Sequence, residues 1–219
     1  MPLDIKICGL KTDDAMEAAL AAGASHVGFI FFPRSPRWIE PVQAGRLRTR
    51  AAGKAQVVAV TVDADDAFLE AIVASVRPDM LQLHGSEPPA RVAELKRRYA
   101  LPVVKAFSVR DAADLVAVQA FRGIADLFLF DARPPAGSDL PGGNGVAFDW
   151  ALLGSLDPAI GYFLSGGLTA ANVGEALRLA GPSGIDVSSG VESAPGVKDP
   201  MLIAAFLEAV RAGRHDRAA

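Results

Sequence analysis

Two side chains that could transfer protons stand at the ends of short apolar runs. Cys8, the only cysteine, ends the run DIKIC, and Asp131 ends the run LFLFD. A thiolate can remove a proton from carbon and a carboxylic acid can protonate an oxygen, so the pair is suited to general acid–base chemistry. A free cysteine is also a common, inert member of buried cores. The residue type alone therefore leaves both interpretations of Cys8 open.

The runs that carry these two residues belong to a regular alternation of strand-like and helix-like segments. Strands separated by helices predict a parallel sheet, and eight such units in 219 residues predict a single-domain (β/α)8 TIM barrel over residues 1–219. A doubly wound open sheet is the alternative, but its G-x-G-x-x-G turn does not follow the first run. The strand-like runs are DIKIC, HVGFIF, VVAVTV, MLQLH, PVVKAF, LFLFD, YFLSG and GIDVSS.

The connecting stretches carry helix signals, with one exception. Thr12 is a typical N-cap before an Ala-rich stretch, and Pro200 stands at an early position of the last helix. VESAPGVKD, just before that helix, is expected to form a short extra turn. The sixth crossover differs, because a Gly/Pro-rich loop at 134–145 precedes a short FDWALL segment. We interpret this loop as an active-site loop rather than a linker.

Barrel enzymes carry their chemistry at the C-terminal ends of the strands, and side-chain alternation predicts which residues face the interior. With Ile5 and Ile7 packed on helices, Lys6 and Cys8 should point inward. Applied to the other strands, the same reasoning places inside the barrel Gln82, His84, Lys105, Asp131, Asp186 and Ser188.

The predicted interior therefore contains charged groups, which are costly to bury unless they are paired. The first and last strands of a closed barrel are neighbours. Lys6 and Asp186 are accordingly expected to lie within ion-pair distance. We expect Lys6 and Lys105 to be structural members of such interior pairs, and both are also candidates for favouring a Cys8 thiolate.

The last two strand-like runs end in small-residue turns that suit a phosphate. Gly166 and Gly167 follow one run, and Ser188, Ser189 and Gly190 end the other. Turns of this kind offer backbone N–H groups and hydroxyls, and barrels often bind phosphate with the loops after strands 7 and 8. The alternative is that both turns merely connect elements.

Composition excludes several functional classes. A net charge of −3 without a basic cluster argues against nucleic acid as a partner. A single cysteine cannot form an internal disulfide, so a reducing, cytoplasmic location is expected. Neither a signal peptide nor an apolar run of about 20 residues is recognisable. The three histidines, His26, His84 and His215, lie on separate elements, so no metal site is predicted.

Several ordered motifs together resemble one enzyme family. They are KICGL, FFPRSPRWI, LQLHG, LFDA, GGNGVAFDW, LSGGLTAANV and GIDVSSGVESAPGVKD. The chain closely resembles the phosphoribosylanthranilate isomerases of tryptophan biosynthesis from Lys6 to Asp199. The resemblance implies an Amadori rearrangement of a phosphoribosyl anthranilate, a small-molecule substrate, without metal or organic cofactor.

The resemblance also implies roles for individual residues. Cys8 matches the general base and Asp131 the general acid, while Arg37 matches the arginine that binds the anthranilate carboxylate. The remaining matches are Asp186 near the sugar hydroxyls, Gln82 and His84 in the site lining, and Gly166, Gly167, Ser188, Ser189 and Gly190 in the phosphate-binding loops. Asn144 departs from the family, which often has Thr at this position of the GGNG motif.

Several alternatives stay open at this point. Arg34 could replace Arg37, and Trp38 and Phe148 could belong to the core or flank an aromatic ring. A ribulose-phosphate epimerase or a tryptophan synthase α subunit would be another enzyme on a phosphate-binding barrel. A catalytically silent barrel that only binds a sugar phosphate would need the turns but neither Cys8 nor Asp131. Whether the chain is a monomer or a homodimer, and whether a related histidine-pathway substrate is accepted, are open as well.

Overall fold

Eight parallel strands form a closed ring, in which each strand pairs with the next and the last pairs with the first. The structure, a computed structural model, describes residues 3–133, 137, 142, 143, 145 and 147–218, with only the backbone of 214–218. The predicted barrel is confirmed, whereas its organisation as a single domain stays a prediction. The strands are β1 (Asp4–Cys8), β2 (His26–Phe31), β3 (Gln56–Thr61), β4 (Met80–Leu83), β5 (Val103–Val109), β6 (Leu127–Ala132), β7 (Tyr162–Leu164) and β8 (Gly184–Val187).

Helices surround the ring and connect most of its strands. They are α1 (Asp13–Ala21), α2 (Pro41–Ala51), α3 (Asp66–Val76), α4 (Pro89–Tyr99), α5 (Val173–Ala180) and α6 (Pro200–Ala218). The Thr12 side chain accepts a hydrogen bond from the Ala15 N–H at 3.3 Å, which confirms the predicted cap. Among the described residues, no helix combines the length and the apolar character needed to cross a lipid bilayer.

The fifth and sixth crossovers carry 3-10 helices, Ala112–Phe121 and Trp150–Ser155. The first of them replaces an α-like stretch expected from the sequence. Its centre contains Val116 and Val118, whose branched side chains are restricted in an α-helix. The second corresponds to the short segment expected after the Gly/Pro-rich loop.

The apolar core is divided by the sheet into an outer layer, which faces the helices, and a smaller interior. Ile7 and Phe29 are fully buried in the outer layer. Lys6 and Asp186 lie inside, where the Lys6 Nζ donates a hydrogen bond to the Asp186 Oδ1 at 2.9 Å. This ion pair between β1 and β8 was expected from strand alternation, and it is confirmed.

The expectation that Lys105 faces the interior is wrong. In the sheet register Lys105 pairs with Leu83 and Phe128, both of which belong to the outer layer. Val104 points inward instead. The run PVVKAF contains two adjacent valines, so its pattern of apolar residues does not determine which face is which.

The segment between β8 and α6 also differs from expectation. The short helical turn lies earlier, at Ser189–Val191, and VESAPGVKD forms an antiparallel hairpin of β9 (Glu192–Ala194) and β10 (Val197–Lys198). Pro195 and Gly196 occupy its turn, and the φ of +78° at Gly196 is one that glycine adopts readily. The hairpin contacts the residue that follows β8, because the Lys198 Nζ donates a hydrogen bond to the Ser188 carbonyl oxygen at 2.9 Å.

Candidate active site

One cavity opens at the C-terminal end of the barrel, and it collects every site residue predicted from the sequence. Cys8 lies at the end of β1, and Asp131 near the end of β6, which is not adjacent to β1 in the ring. Both side chains therefore line the same cavity from different sides. The predicted residues that line it are Cys8, Arg37, Gln82, His84, Asp131, Gly166, Gly167, Asp186, Ser188, Ser189 and Gly190.

The Cys8 thiol is buried, with 3% of the residue exposed, and has no disulfide partner. Burial raises its pKa, while the positive charge of Lys6 lowers it and the charge of Asp186 raises it further. The charge of Lys198 also lowers it. Lys6 and Lys198 are thus the cations that favour the thiolate. Lys105, the other candidate from the sequence, lies on the opposite face of the sheet, away from the thiol.

Gly28 on β2 makes room for the thiol. An added Cβ at this position would lie 2.8 Å from the Cys8 Sγ and 3.2 Å from the Lys6 Cε. A methyl group there would displace one or both side chains. Lys6 itself stays charged: burial lowers its pKa, but the charges of Asp186 and Cys8 outweigh this effect, and the pKa is raised overall.

The Asp131 side chain, on β6, lies next to two polar side chains from β4 and the loop that follows it. Its Oδ1 accepts a hydrogen bond from the Ala132 N–H at 2.9 Å, and its Oδ2 lies 3.6 Å from the His84 Nε2. The other ring nitrogen of His84, Nδ1, lies 2.9 Å from the Gln82 Nε2. The contact with Gln82 therefore holds the His84 imidazole beside the Asp131 carboxyl group.

Arg37 is nearly buried in the loop after β2, with 4% exposed. Its Nε and Nη2 donate hydrogen bonds to the two carboxylate oxygens of Glu192, at 2.8 Å and 2.9 Å. Nη2 also donates to the Gly143 carbonyl oxygen at 3.2 Å. Arg34, the alternative from the sequence, is exposed and is not among the residues that line the cavity.

The two small-residue turns after β7 and β8 pack tightly against one another. An added Cβ at Gly190 would lie only 1.8 Å from the Leu168 carbonyl oxygen, so only glycine allows this approach. The Ser188 hydroxyl donates a hydrogen bond to the Cys8 carbonyl oxygen at 3.1 Å. The turn after β8 is in this way connected to the strand end that carries the thiol.

Comparison with known proteins identifies the family. A family model described as N-(5'phosphoribosyl)anthranilate (PRA) isomerase matches residues 5–209. The chain is 70% identical, over 219 residues and all of both chains, to an N-(5'-phosphoribosyl)anthranilate isomerase of Mesorhizobium japonicum. It is 65% identical to one of Chelativorans sp., with 99% of this chain and 100% of that relative covered. The chain belongs to the phosphoribosylanthranilate isomerase family.

Solved structures of the isomerase family share the fold. A crystal structure of phosphoribosyl anthranilate isomerase from Thermotoga maritima matches with a TM-score of 0.84 and 32% identity, covering 96% of this chain and 100% of that one. A family structure in complex with reduced 1-(o-carboxyphenylamino)-1-deoxyribulose 5-phosphate matches with a TM-score of 0.82 and 30% identity, with the same coverage. The resemblance inferred from the sequence motifs is confirmed.

Sequence reasoning missed two charged residues beside the site of this isomerase-family member, and a third on the outer face of the sheet. Glu192 and Lys198, on the hairpin, contact each other and the site residues Arg37 and Ser188. Glu87 lies in the loop after β4, 3.0 Å from the Lys105 Nζ. Charged residues in Gly/Pro-rich connections normally suggest solvent exposure, so only the family motif GVESAPGVKD pointed to the hairpin pair.

Some predicted features lie outside the cavity lining or outside the described residues. Trp38 packs on Phe68 with ring centroids 5.9 Å apart, and neither Trp38 nor Phe148 lines the cavity. Asn144 and most of the loop 134–145 lie outside the described residues. Within the described part of the chain, no group of three or more His, Cys, Asp or Glu residues could hold a metal ion.

Proposed function

We propose that the chain catalyses the Amadori rearrangement of N-(5-phosphoribosyl)anthranilate to 1-(2-carboxyphenylamino)-1-deoxyribulose 5-phosphate in L-tryptophan biosynthesis. Asp131 acts as the general acid and Cys8 as the general base. The observation that carries this proposal is the meeting of a buried carboxyl group and a buried thiol in one cavity, from strands that are not adjacent. Their separation suits two proton transfers at different atoms of one sugar.

Asp131 serves the ring-opening step. The substrate is a closed furanose, and protonation of its ring oxygen allows the bond from that oxygen to the first sugar carbon to break. The electron pair of the anthranilate nitrogen then forms an iminium ion. Asp131 acts in this step as the proton donor, and His84 lines the site beside it, with its Nε2 3.6 Å from the carboxyl oxygen.

Cys8 serves the second step. The iminium ion makes the proton on the second sugar carbon acidic, and the thiolate removes it, giving an enolamine that ketonises to the product. Because burial raises the pKa of Cys8, the thiolate depends on its cationic neighbours Lys6 and Lys198. The positive iminium ion of the intermediate favours the thiolate in the same way.

The remaining residues anchor the substrate in this proposal. Arg37 binds the anthranilate carboxylate through a charge-assisted hydrogen bond. Gln82, His84 and Asp186 line the part of the cavity where the sugar lies. The phosphate is bound by the turns after β7 and β8, that is, by Gly166, Gly167, Ser188, Ser189 and Gly190.

The reaction moves only protons and electron pairs within one molecule, so the proposed activity needs no metal and no organic cofactor. A cytoplasmic location is proposed as well, because the lone thiol must stay reduced to act as a base. The oligomeric form is a monomer or a homodimer. A solved T. maritima relative is described as mutually generated monomers of a dimeric enzyme.

The test follows the fluorescence of the anthranilate-derived substrate, which is lost as the molecule isomerises. Purified wild-type protein should remove the signal with saturation kinetics. Asp131→Asn should bind a reduced product analogue like the wild type yet lose activity by about 10²–10⁴-fold, the usual contribution of a positioned acid. Wild-type protein that binds the analogue without turning over substrate would indicate a silent sugar-phosphate barrel. Full activity of Asp131→Asn would exclude its role as the acid.

A further inference from the structure

Three buried charged side chains meet beside the cavity. In the proposed reaction Arg37 binds the substrate and Lys198 favours the Cys8 thiolate, whereas Glu192 has no role so far. Arg37 comes from the loop after β2, while Glu192 and Lys198 come from the two strands of the hairpin. The Glu192 Oε1 accepts hydrogen bonds from the Arg37 Nε at 2.8 Å and from the Lys198 Nζ at 2.6 Å. The three side chains are 2–5% exposed. Two cations thus share one carboxylate, which leaves a net charge of +1.

Glu192 restricts how Arg37 can be used. The two hydrogen bonds from Nε and Nη2 occupy one edge of the planar guanidinium and fix the plane. Nη2 is further held by the Gly143 carbonyl oxygen. A ligand can therefore accept hydrogen bonds only from the Nη1 side of the Arg37 guanidinium. A freely rotating arginine would lose more conformational entropy on binding a carboxylate than one held in this way.

Lys198 connects this arginine with the opposite part of the site. Its Nζ donates to the Ser188 carbonyl oxygen at 2.9 Å and to the Ser188 hydroxyl oxygen at 3.2 Å. That hydroxyl in turn bonds the Cys8 carbonyl oxygen. One continuous series of contacts therefore runs from the guanidinium through Glu192 and Lys198 to the phosphate turn and the end of β1.

We propose that Glu192 and Lys198 are positioning residues that hold the Arg37 guanidinium ready for one aryl carboxylate, and so determine that the enzyme prefers a carboxylated aromatic amine. This inference rests on the proposed function. It concerns discrimination between substrates, whereas the proposed function concerns turnover itself. Groups that orient the ligands of a metal site change metal affinity by about 10–100-fold when removed, and we expect an effect at the lower end of that range for a group that orients an arginine.

The pKa of Lys198 supports this arrangement. Burial lowers the pKa to about 8, although the charge of Glu192 opposes the shift. The pKa of Glu192 is itself lowered overall: burial raises it, but Arg37 and Lys198 outweigh the burial. Glu192 is therefore an anion at neutral pH, and it is the group on which both cations depend.

The experiment compares two substrates that differ only in the carboxylate. Ribose 5-phosphate condensed with anthranilate gives the carboxylated substrate, and condensation with aniline gives its counterpart. For Glu192→Gln we expect KM for the anthranilate substrate to rise about tenfold while kcat changes by less than about threefold. KM for the aniline counterpart should stay within about twofold of the wild-type value. The ratio of the two kcat/KM values should therefore fall about tenfold.

A second variant separates positioning from simple charge balance. Glu192→Gln combined with Lys198→Met removes one anion and one cation, so the net charge of +1 returns, but Arg37 is still not held. We expect this double variant to keep the raised KM for the anthranilate substrate. Recovery of the wild-type KM would show that only charge balance matters and would overturn the positioning role. The double variant also provides the test if the single variant does not fold.

Glu87→Gln is the matched control, since it removes another buried carboxylate that bonds a lysine, on the outer face of the sheet. It should lower the melting temperature without changing the ratio of kcat/KM for the two substrates. An unchanged ratio in Glu192→Gln, or an equal change in Glu87→Gln, would overturn the inference. Absence of turnover by the wild-type protein would instead refute the proposed function.

Discussion

Two buried ammonium–carboxylate pairs lie on opposite faces of the same sheet and have almost the same geometry. Lys6 and Asp186 are 2.9 Å apart inside the barrel, and Lys105 and Glu87 are 3.0 Å apart on its outer side. All four side chains are at most 6% exposed. The pairs differ in what surrounds them, and the difference shows how one kind of interaction can serve either chemistry or structure.

The inner pair borders the thiol. Lys6 lowers the pKa of Cys8, and Asp186 lines the cavity. The outer pair organises a loop instead. Lys105 also donates to the Leu83 and Gly85 carbonyl oxygens at 3.2 Å and 2.7 Å, and so secures the chain just before and after His84. We infer that the inner pair affects the reaction directly and the outer pair affects it through the position of one loop.

The largest expected loss of activity comes from changing Cys8, the thiol beside the inner pair. Cys8→Ser replaces the thiol by a hydroxyl of similar size that is a far weaker base at neutral pH. Activity in the fluorescence assay should fall by about 10³-fold or more, while the unfolding free energy changes by less than about 1 kcal/mol. A kcat near that of the wild type would refute the proposed base and remove the functional difference between the two faces.

Removing one lysine from each pair compares the faces directly. Lys6→Met and Lys105→Met each leave a buried carboxylate without its partner, which typically costs about 3–5 kcal/mol in denaturant unfolding. We expect kcat to fall about 10–100-fold in Lys6→Met, because the thiolate loses a cation, and by less than about fivefold in Lys105→Met. Equal losses of kcat in the two variants would contradict the assignment.

The inner pair could be predicted from the sequence and the outer pair could not, for reasons that lie in the individual strands. DIKIC and GIDVSS alternate apolar and polar residues, so Lys6 and Asp186 had to share the interior once the ring closes. In PVVKAF two valines are adjacent, so alternation does not show which face Lys105 occupies. The prediction that Lys105 points into the barrel is wrong. Glu87 stands in a loop, where no periodicity identifies a partner.

In the candidate site, too, residues on strands could be predicted from the sequence and residues brought together by loops could not. The residues that end the strands were found from their position, whereas Arg37 was found through the resemblance to a family. Glu192 and Lys198 are brought together by a hairpin that depends on Pro195 and Gly196. The sequence shows that this segment is irregular, but not that it forms a hairpin in which two charged side chains are buried against Arg37 and Ser188. Contacts across loops depend on tertiary packing, which local patterns do not encode.

A smaller effect is expected from added volume on the two faces. In Gly28→Ala the new methyl group meets the Cys8 Sγ, inside the barrel. In Gly45→Ala it meets the Ser75 carbonyl oxygen, where α2 packs on α3 outside the barrel. Each should lower the unfolding free energy by about 1–3 kcal/mol. Only Gly28→Ala should also lower kcat, by about tenfold, because it displaces the base. Loss of kcat in Gly45→Ala at a temperature where it is folded would contradict this separation.

The smallest effect concerns a histidine beside the inner pair. His26 on β2 pairs in register with Lys6. Burial lowers its pKa below the ordinary 6.5, and the charge of Lys6 acts in the same direction, while the charges of Asp4 and Asp186 and a hydrogen bond to the Gln56 side chain oppose the shift. The folded protein therefore binds this proton less readily than the unfolded chain does.

The sign of the pH dependence follows from this lowered pKa. Above about pH 6.5 the imidazole is neutral in both states and contributes nothing. As the pH falls below that value the unfolded chain takes up the proton first, so stability is lost until the pKa of the folded protein is reached. His26→Gln should remove this component. Its unfolding free energy should fall less between pH 6.5 and 5 than that of the wild type, by at most about 1.4 kcal/mol per pH unit. Parallel curves for the two proteins would show that His26 titrates alike in both states, and that the charges inside the ring do not act on it.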